Sequence, residues 1–326
     1  MPEYFTRYGQ SSNPFKRRVL DVQHTDALHA QATANGLLLD IDGFTALSEL
    51  KAYLTDRVSA CQPAFVLIEG PRESGLSSAA SAVLLNYREI RGLAAGHYVP
   101  VVVEAKDHDE VRLYKTWVAA LYAKVQPKIS LLKEVKQRLH DARSFSDPDT
   151  LGFDLQGVIE ELRPALEADA APVRAIASMF ETIKTSKPID VAQVVFEKSA
   201  TICVFTSHTA SFDVDKFIEK NSAVHPIRLG HLKAEEVQRV VKTRWGEASA
   251  VPFDAPTFSG FCEKQKHPVG VVLSVAEDLL KKRARDYESL SGTGQWPTEV
   301  KLGFTDVETL GLLEVVINGG TPARVP

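Results

Sequence analysis

Apolar positions along this chain follow two rhythms. The segments Ala64 to Glu69 (Ala-Phe-Val-Leu-Ile-Glu), Tyr98 to Glu104 and Ala200 to Thr206 are short, β-prone and almost continuously apolar, the pattern of parallel strands buried on both faces. Pro172 to Ala177 and Ile227 to Leu229 predict two shorter strands. Elsewhere apolar residues recur every three or four positions, which predicts helices. These are Phe44, Leu47, Leu50 and Leu54 through about Val58; Ser77 to Ile90; Val191 to Lys198; Ala234 to Trp245; Thr257 to Lys264; and Val269 to Arg285. Between Asp109 and Glu167 two helical stripes stand out, Trp117, Leu121, Val125 and Leu131, Val135, Leu139.

Gly70 ends the first strong strand, and a glycine-containing loop leads into the helix from Ser77 and the next strand at Tyr98. Strand, loop, helix and strand in that order form a βαβ unit with parallel strands. The pattern predicts a three-layer α/β fold around a parallel sheet of about five strands, with a helical insertion over about 109–167 and a C-terminal helical lid. The expected domains are 1–45, a leader packed on the core whose Asn13-Pro14-Phe15 turn docks a ring; 46–230, the α/β domain; and 231–326, the lid and C-terminal segment.

Composition narrows the classes. A chain of 326 residues buries a sizeable core, and 42 carboxylates against 38 Lys and Arg exert no general pull on nucleic acid. Cys61, Cys203 and Cys262 stand far apart, without the spacing of a disulfide framework or a zinc ribbon. There is no run of about 18 apolar residues, and the opening Met-Pro-Glu-Tyr-Phe-Thr-Arg-Tyr lacks the basic-then-apolar order of a signal peptide. The expected setting is the cytoplasm.

The loop Gly70-Pro71-Arg72-Glu73-Ser74-Gly75-Leu76-Ser77-Ser78 carries the candidate chemistry. A phosphate-binding loop needs glycines for close backbone approach, a helix whose free N–H groups face the anion, a lysine, and a hydroxyl for magnesium. Gly70, Gly75, Ser77 and the helix after them meet these needs, but Leu76 stands at the lysine position. Leucine cannot offset phosphate charge during transfer. Arg72 is the one cation inside the loop, suited to binding a phosphate rather than to catalysis.

These residues resemble the AAA+ and STAND superfamily of P-loop ATPases over roughly residues 40–285. The run Ile202 to His208 is similar to the family's strand ending in a small polar residue that senses the γ-phosphate, which the resemblance assigns to Ser207. Ile227 to Glu236, with Leu232-Lys-Ala-Glu-Glu236, is similar to the strand leading into the lid. The family's acidic pair would follow Ala175 to Ser178, where the first acid is absent and Glu181 reads as a helix-start residue. Its lid arginine would fall within Pro268 to Val271, where there is none.

The resemblance implies ATP or ADP with magnesium as cofactor, held by Gly70, Arg72, Ser74, Gly75, Ser77, Ser78 and Ser207; the eroded motifs admit no cofactor at all. The expected function is a nucleotide-binding or architectural regulator that assembles with partner proteins, such as an active homologous ATPase, with hydrolysis lost. Two alternatives stand beside it: a divergent ATPase using Arg72, and a DNA-binding protein using the basic Lys281-Lys-Arg-Ala-Arg285 cluster. Flanking acids at Glu277, Asp278, Asp286 and Glu288 weaken that cluster's field and make nucleic acid the less favoured partner. His208, His225 and His231 lack the fixed spacing of a metal site.

Overall fold

A computed structural model of the chain describes residues 5–6, 10–11, 13–15, 47–93, 98–105, 109–125, 133–141, 144, 147–167, 175–196, 201–246 and 268–290. The expected Thr257 to Lys264 helix and the segment from Ser291 lie outside them. The described elements are α1 Leu47–Ser59, β1 Ala64–Gly70, α2 Leu76–Ile90, β2 Tyr98–Glu104, α3 Glu110–Val125, α4 Lys133–Asp141, α5 Pro148–Glu167, β3 Ala175–Ile183, α6 Lys187–Val195, β4 Ile202–His208, α7 Val214–Lys220, β5 Val224–Arg228, α8 Ala234–Trp245 and α9 Val269–Leu290.

All pairings in the sheet are parallel, in the order β2-β3-β4-β1-β5. The last-but-one strand in sequence therefore lies between β1 and β3, so the strand that opens into the glycine loop is flanked on both sides. Successive side chains alternate between faces. Phe65 and Leu67 of β1, Cys203 and Phe205 of β4, Ile176 and Phe180 of β3 and Val101 and Val103 of β2 point to one face; Val66 and Ile68, Ile202 and Val204, and Ala177 and Met179 point to the other.

The first face is aromatic. Trp117 of α3 meets Phe180 edge-on at 4.8 Å between ring centroids, Phe180 stacks on Phe205 at 4.9 Å, and Trp117 lies 5.2 Å from Phe196. Ser178, a polar residue in the middle of a buried strand, accepts a hydrogen bond from Trp117 Nε1 at 3.1 Å. Leu113, Val118 and Leu121 of α3 and Leu155, Val158 and Ile159 of α5 complete this core, so helices of the expected insertion supply the layer over that face. The second face is covered by α1 and α2 with smaller side chains, among them Ala79, Ala80, Val83 and Leu84. Burial of Cys203 in the sheet pushes its thiol well above the ordinary value, which keeps it a protonated packing group.

Most strand and helix boundaries follow the hydrophobic pattern, but α7 was not expected, β5 starts at Val224 instead of Ile227, and one displacement bears on the site. β3 runs to Ile183 instead of ending near Ala177, and α6 starts at Lys187 with Pro188 in its first turn. Thr182 takes a left-handed φ of 59° and its N–H bonds Thr206 Oγ1 at 2.9 Å, which interrupts the register between Phe180 and Ile183 and returns Ile183 to the aromatic face. At the N-terminus, Phe15 is fully buried and stacks on Trp245 of α8 at 6.0 Å, and Gln10 Nε2 donates to the Trp245 carbonyl at 3.1 Å.

Candidate functional site

The site is built where β1 turns into α2. Gly70 closes β1, and a Cβ there would lie 2.6 Å from Ser74 Oγ and 3.0 Å from the Leu229 carbonyl oxygen, so the turn is tight enough to require glycine. Ser74 N–H bonds the Pro71 carbonyl at 3.2 Å, Glu73 stands at a left-handed φ of 67°, and Gly75 at φ 90° precedes the helix. Ser74 Oγ is buried and has no hydrogen-bond partner among the described residues. Arg72 is exposed, and no hydrogen bond or ion pair among the described residues fixes it.

Leu76 opens α2 and is buried among Leu50, Leu54, Ile68 and Leu229 in the core on the α2 face. At the position where a phosphate-binding loop carries its ammonium, this chain has a core anchor. Ser77 and Ser78, the next residues, are half-buried.

Opposite the loop stands a residue that the sequence reading misplaced. Glu181 is not at a helix start: it lies near the end of β3, and alternation along Ala175, Ala177 and Met179 turns it to the α2 side. Ser77 Oγ donates to Glu181 Oε1 at 3.2 Å, and the Glu181 carbonyl accepts from Ala105 N–H at 3.1 Å. The hydroxyl after the loop and the acid at a strand tip are thus brought together. The signal was available as an apolar run, Ala175 to Phe180 broken only by Ser178, that ends on an acid.

Ser207 is not part of this group. It shares the face of Cys203 and Phe205, is buried, and its hydroxyl donates to the Ile183 carbonyl at 3.1 Å. The alternate positions of β4, on the α2 side, are Thr206 and His208. His208 pairs in register with Gly70, and its Nδ1 is buried with no partner among the described residues.

The first turn of α9 lies on the loop: Gly270 N–H donates to the Glu73 carbonyl at 2.9 Å, and a Cβ on Gly75 would come 3.7 Å from Val269 Cγ1. The stretch Pro268 to Val271, where the resemblance calls for an arginine, is therefore beside the loop, through the Gly270 backbone and the Val269 side chain. Lys281, farther along α9, pairs with Glu277 at 2.7 Å and lies 3.5 Å from Asp278.

For a magnesium nucleotide the fit is divided. Ser77 and Glu181 offer the hydroxyl and carboxylate oxygens that a hard cation takes, and Ser74 Oγ is an open donor inside the loop. The phosphate side offers backbone but no fixed cation among the described residues. No three His, Cys, Asp or Glu side chains converge as a metal cluster among the described residues. None of the described helices is long and apolar enough to cross a membrane.

No protein-family model matches the chain, and no curated protein matches it. Among solved structures it is similar to Drosophila ORC bound to DNA, with a TM-score of 0.50 at 10% identity over 83% of this chain and 60% of that one. It is also similar to the Aeropyrum pernix ORC1 protein in complex with DNA, with a TM-score of 0.49 at 13% identity over 82% and 65% of the two chains. The Aeropyrum pernix ORC2 protein in its ADP form gives 0.49 at 11% identity over 95% and 72%. The chain thus spans less than two thirds of the first two relatives. Its parallel sheet with flanking helices and the likeness to the Drosophila structure give it a three-layer α/β fold of the P-loop NTPase type.

Proposed function

We propose that this chain is a AAA+-like architectural subunit that assembles with partner proteins, for instance an active homologous ATPase, and does not hydrolyse ATP. The observation that carries the reading is Leu76, whose side chain belongs to the core where the reaction needs a cation beside the transferring phosphate. The absence of arginine in Pro268 to Val271 adds to it. Glu181 argues the other way, since its contact with Ser77 supplies an acid that the sequence had left vacant. Loss of turnover therefore rests on two departures, not three.

The test is phosphate release from ATP by the purified full chain, alongside calorimetry with ATP and ADP. The expected result is no turnover above background and no binding tighter than about 1 mM. Turnover at an enzyme's rate that disappears in Ser77→Ala sinks the proposal; if Arg72→Ala also abolishes it, the divergent ATPase using Arg72 is the right reading.

The Ser77 and Glu181 pair favours one second reading, a subunit that holds ATP or ADP with magnesium without turning it over. Gly70, Arg72, Ser74, Gly75, Ser77, Ser78 and Glu181 would then bind, with Ser207 acting through the β3 backbone. Micromolar, magnesium-dependent affinity that falls in Glu181→Gln identifies that case. The Drosophila relative's structure is bound to DNA, but pairing of Lys281 with acids on its own helix does not favour a DNA role for the basic cluster here.

A further inference from the structure

The contact between lid and loop differs in kind from one that a ligand bridges. The first N–H groups of a helix have no partner within the helix and are ordinarily met by a cap, water or a bound anion. In α9 the Gly270 N–H is met by the loop itself, at the Glu73 carbonyl. Space between the two backbones is so short that a Cβ on Gly270 would stand 2.8 Å from the Glu73 oxygen and 2.9 Å from the Glu73 Cβ. The left-handed conformation of Glu73, at φ 67°, is rare for a residue with a side chain and persists only where its surroundings hold it.

We propose that this backbone bond is a latch that holds the lid closed on the loop without any nucleotide. Gly270 gives the close approach and the donor, and Glu73 gives the acceptor. The Val269 side chain, beside Gly75, extends the same contact. This deepens the architectural reading above and rests on it in one respect: a lid held by the protein's own backbone presents one constant surface to partners.

Hydrogen exchange on the full-length protein tests the latch. In nucleotide-free protein the amide of Gly270, the one bonded to the loop, is expected to be protected, and addition of magnesium with ATP or ADP to change that protection by less than about threefold. Gly270→Ala should lower protection in the first turn of α9 by roughly tenfold or more while β1 and β4 keep theirs. Glu73→Gly, which keeps the carbonyl and removes the strained side chain, should leave the first-turn protection in place or raise it, and serves as the folded control if Gly270→Ala does not fold.

An unprotected first turn in nucleotide-free protein overturns the latch, as does protection that appears only with nucleotide, or equal protection in Gly270→Ala. The two proposals fail separately. ATP turnover with a protected nucleotide-free lid refutes the architectural function and leaves the latch, whereas an exposed lid without turnover refutes the latch alone.

Discussion

The two sides of the same loop have been treated differently. On the cation side, Ser77 and Glu181 meet at 3.2 Å, a hydroxyl and an acid drawn together from elements 104 residues apart. On the other side, Leu76 is a core side chain, one of the loop's two left-handed positions is Glu73, and the Gly270 N–H of α9 bonds the Glu73 carbonyl. The difference teaches that a fold and a reaction depend on separate residues of one motif. Gly70, Gly75 and Ser77 shape the strand-to-helix turn whether or not phosphate is present. Leu76 belongs to the core on the α2 face.

The strongest way to break the comparison is Leu76→Lys. It removes an apolar side chain from the core on the α2 face and puts an ammonium in its place, with an expected loss of about 3 kcal/mol in urea unfolding. Phosphate release should stay at background, because Pro268 to Val271 still carries no arginine. Turnover in this variant would mean that the anion side is only one residue away from function. Next is Gly70→Ala, where contact with Ser74 Oγ and the Leu229 carbonyl forces a shift and should cost about 2 kcal/mol, read as a lower thermal midpoint.

Glu73→Gly has the opposite sign. Removing a side chain from a left-handed position should stabilise the protein by about 0.5–1 kcal/mol, after the greater freedom of glycine in the unfolded chain is counted. A loss in chemical denaturation would show that the glutamate side chain itself supports the loop. The smallest effect belongs to the cation side. Ser77→Ala breaks the bond to Glu181 at a half-buried position and should cost about 0.5 kcal/mol in stability. If it costs more than the anion-side changes, the pair is a structural linchpin rather than a site kept ready for a cation.

Much of this arrangement was legible in the sequence because it depends on local pattern. Continuous apolar runs marked β1, β2 and β4, and the glycine spacing marked the turn between β1 and α2. β3 was harder. Ser178, Glu181 and Thr182 look like the end of a strand, but Ser178 is met by Trp117 of α3 and Thr182 by Thr206 of β4. Those partners are distant in the chain, and without them Glu181 falls outside the strand. The orientation of Ser207 was hidden for a related reason: a strand tip has two faces, and only the register with β3 and β1 shows that Ser207 faces the aromatic core. The Gly270 contact leaves no mark of its own in the sequence, since a helix-start glycine has many uses.

Phe15 stacks on Trp245, and Gln10 bonds the carbonyl of that same residue across a separation of 235 in the chain. Such a contact closes a very long loop and cannot form until synthesis has passed α8. The sheet, whose strands finish at Arg228, can be complete before then. The N-terminal residues would thus wait through most of synthesis for their partner, and their docking would mark a late event in folding.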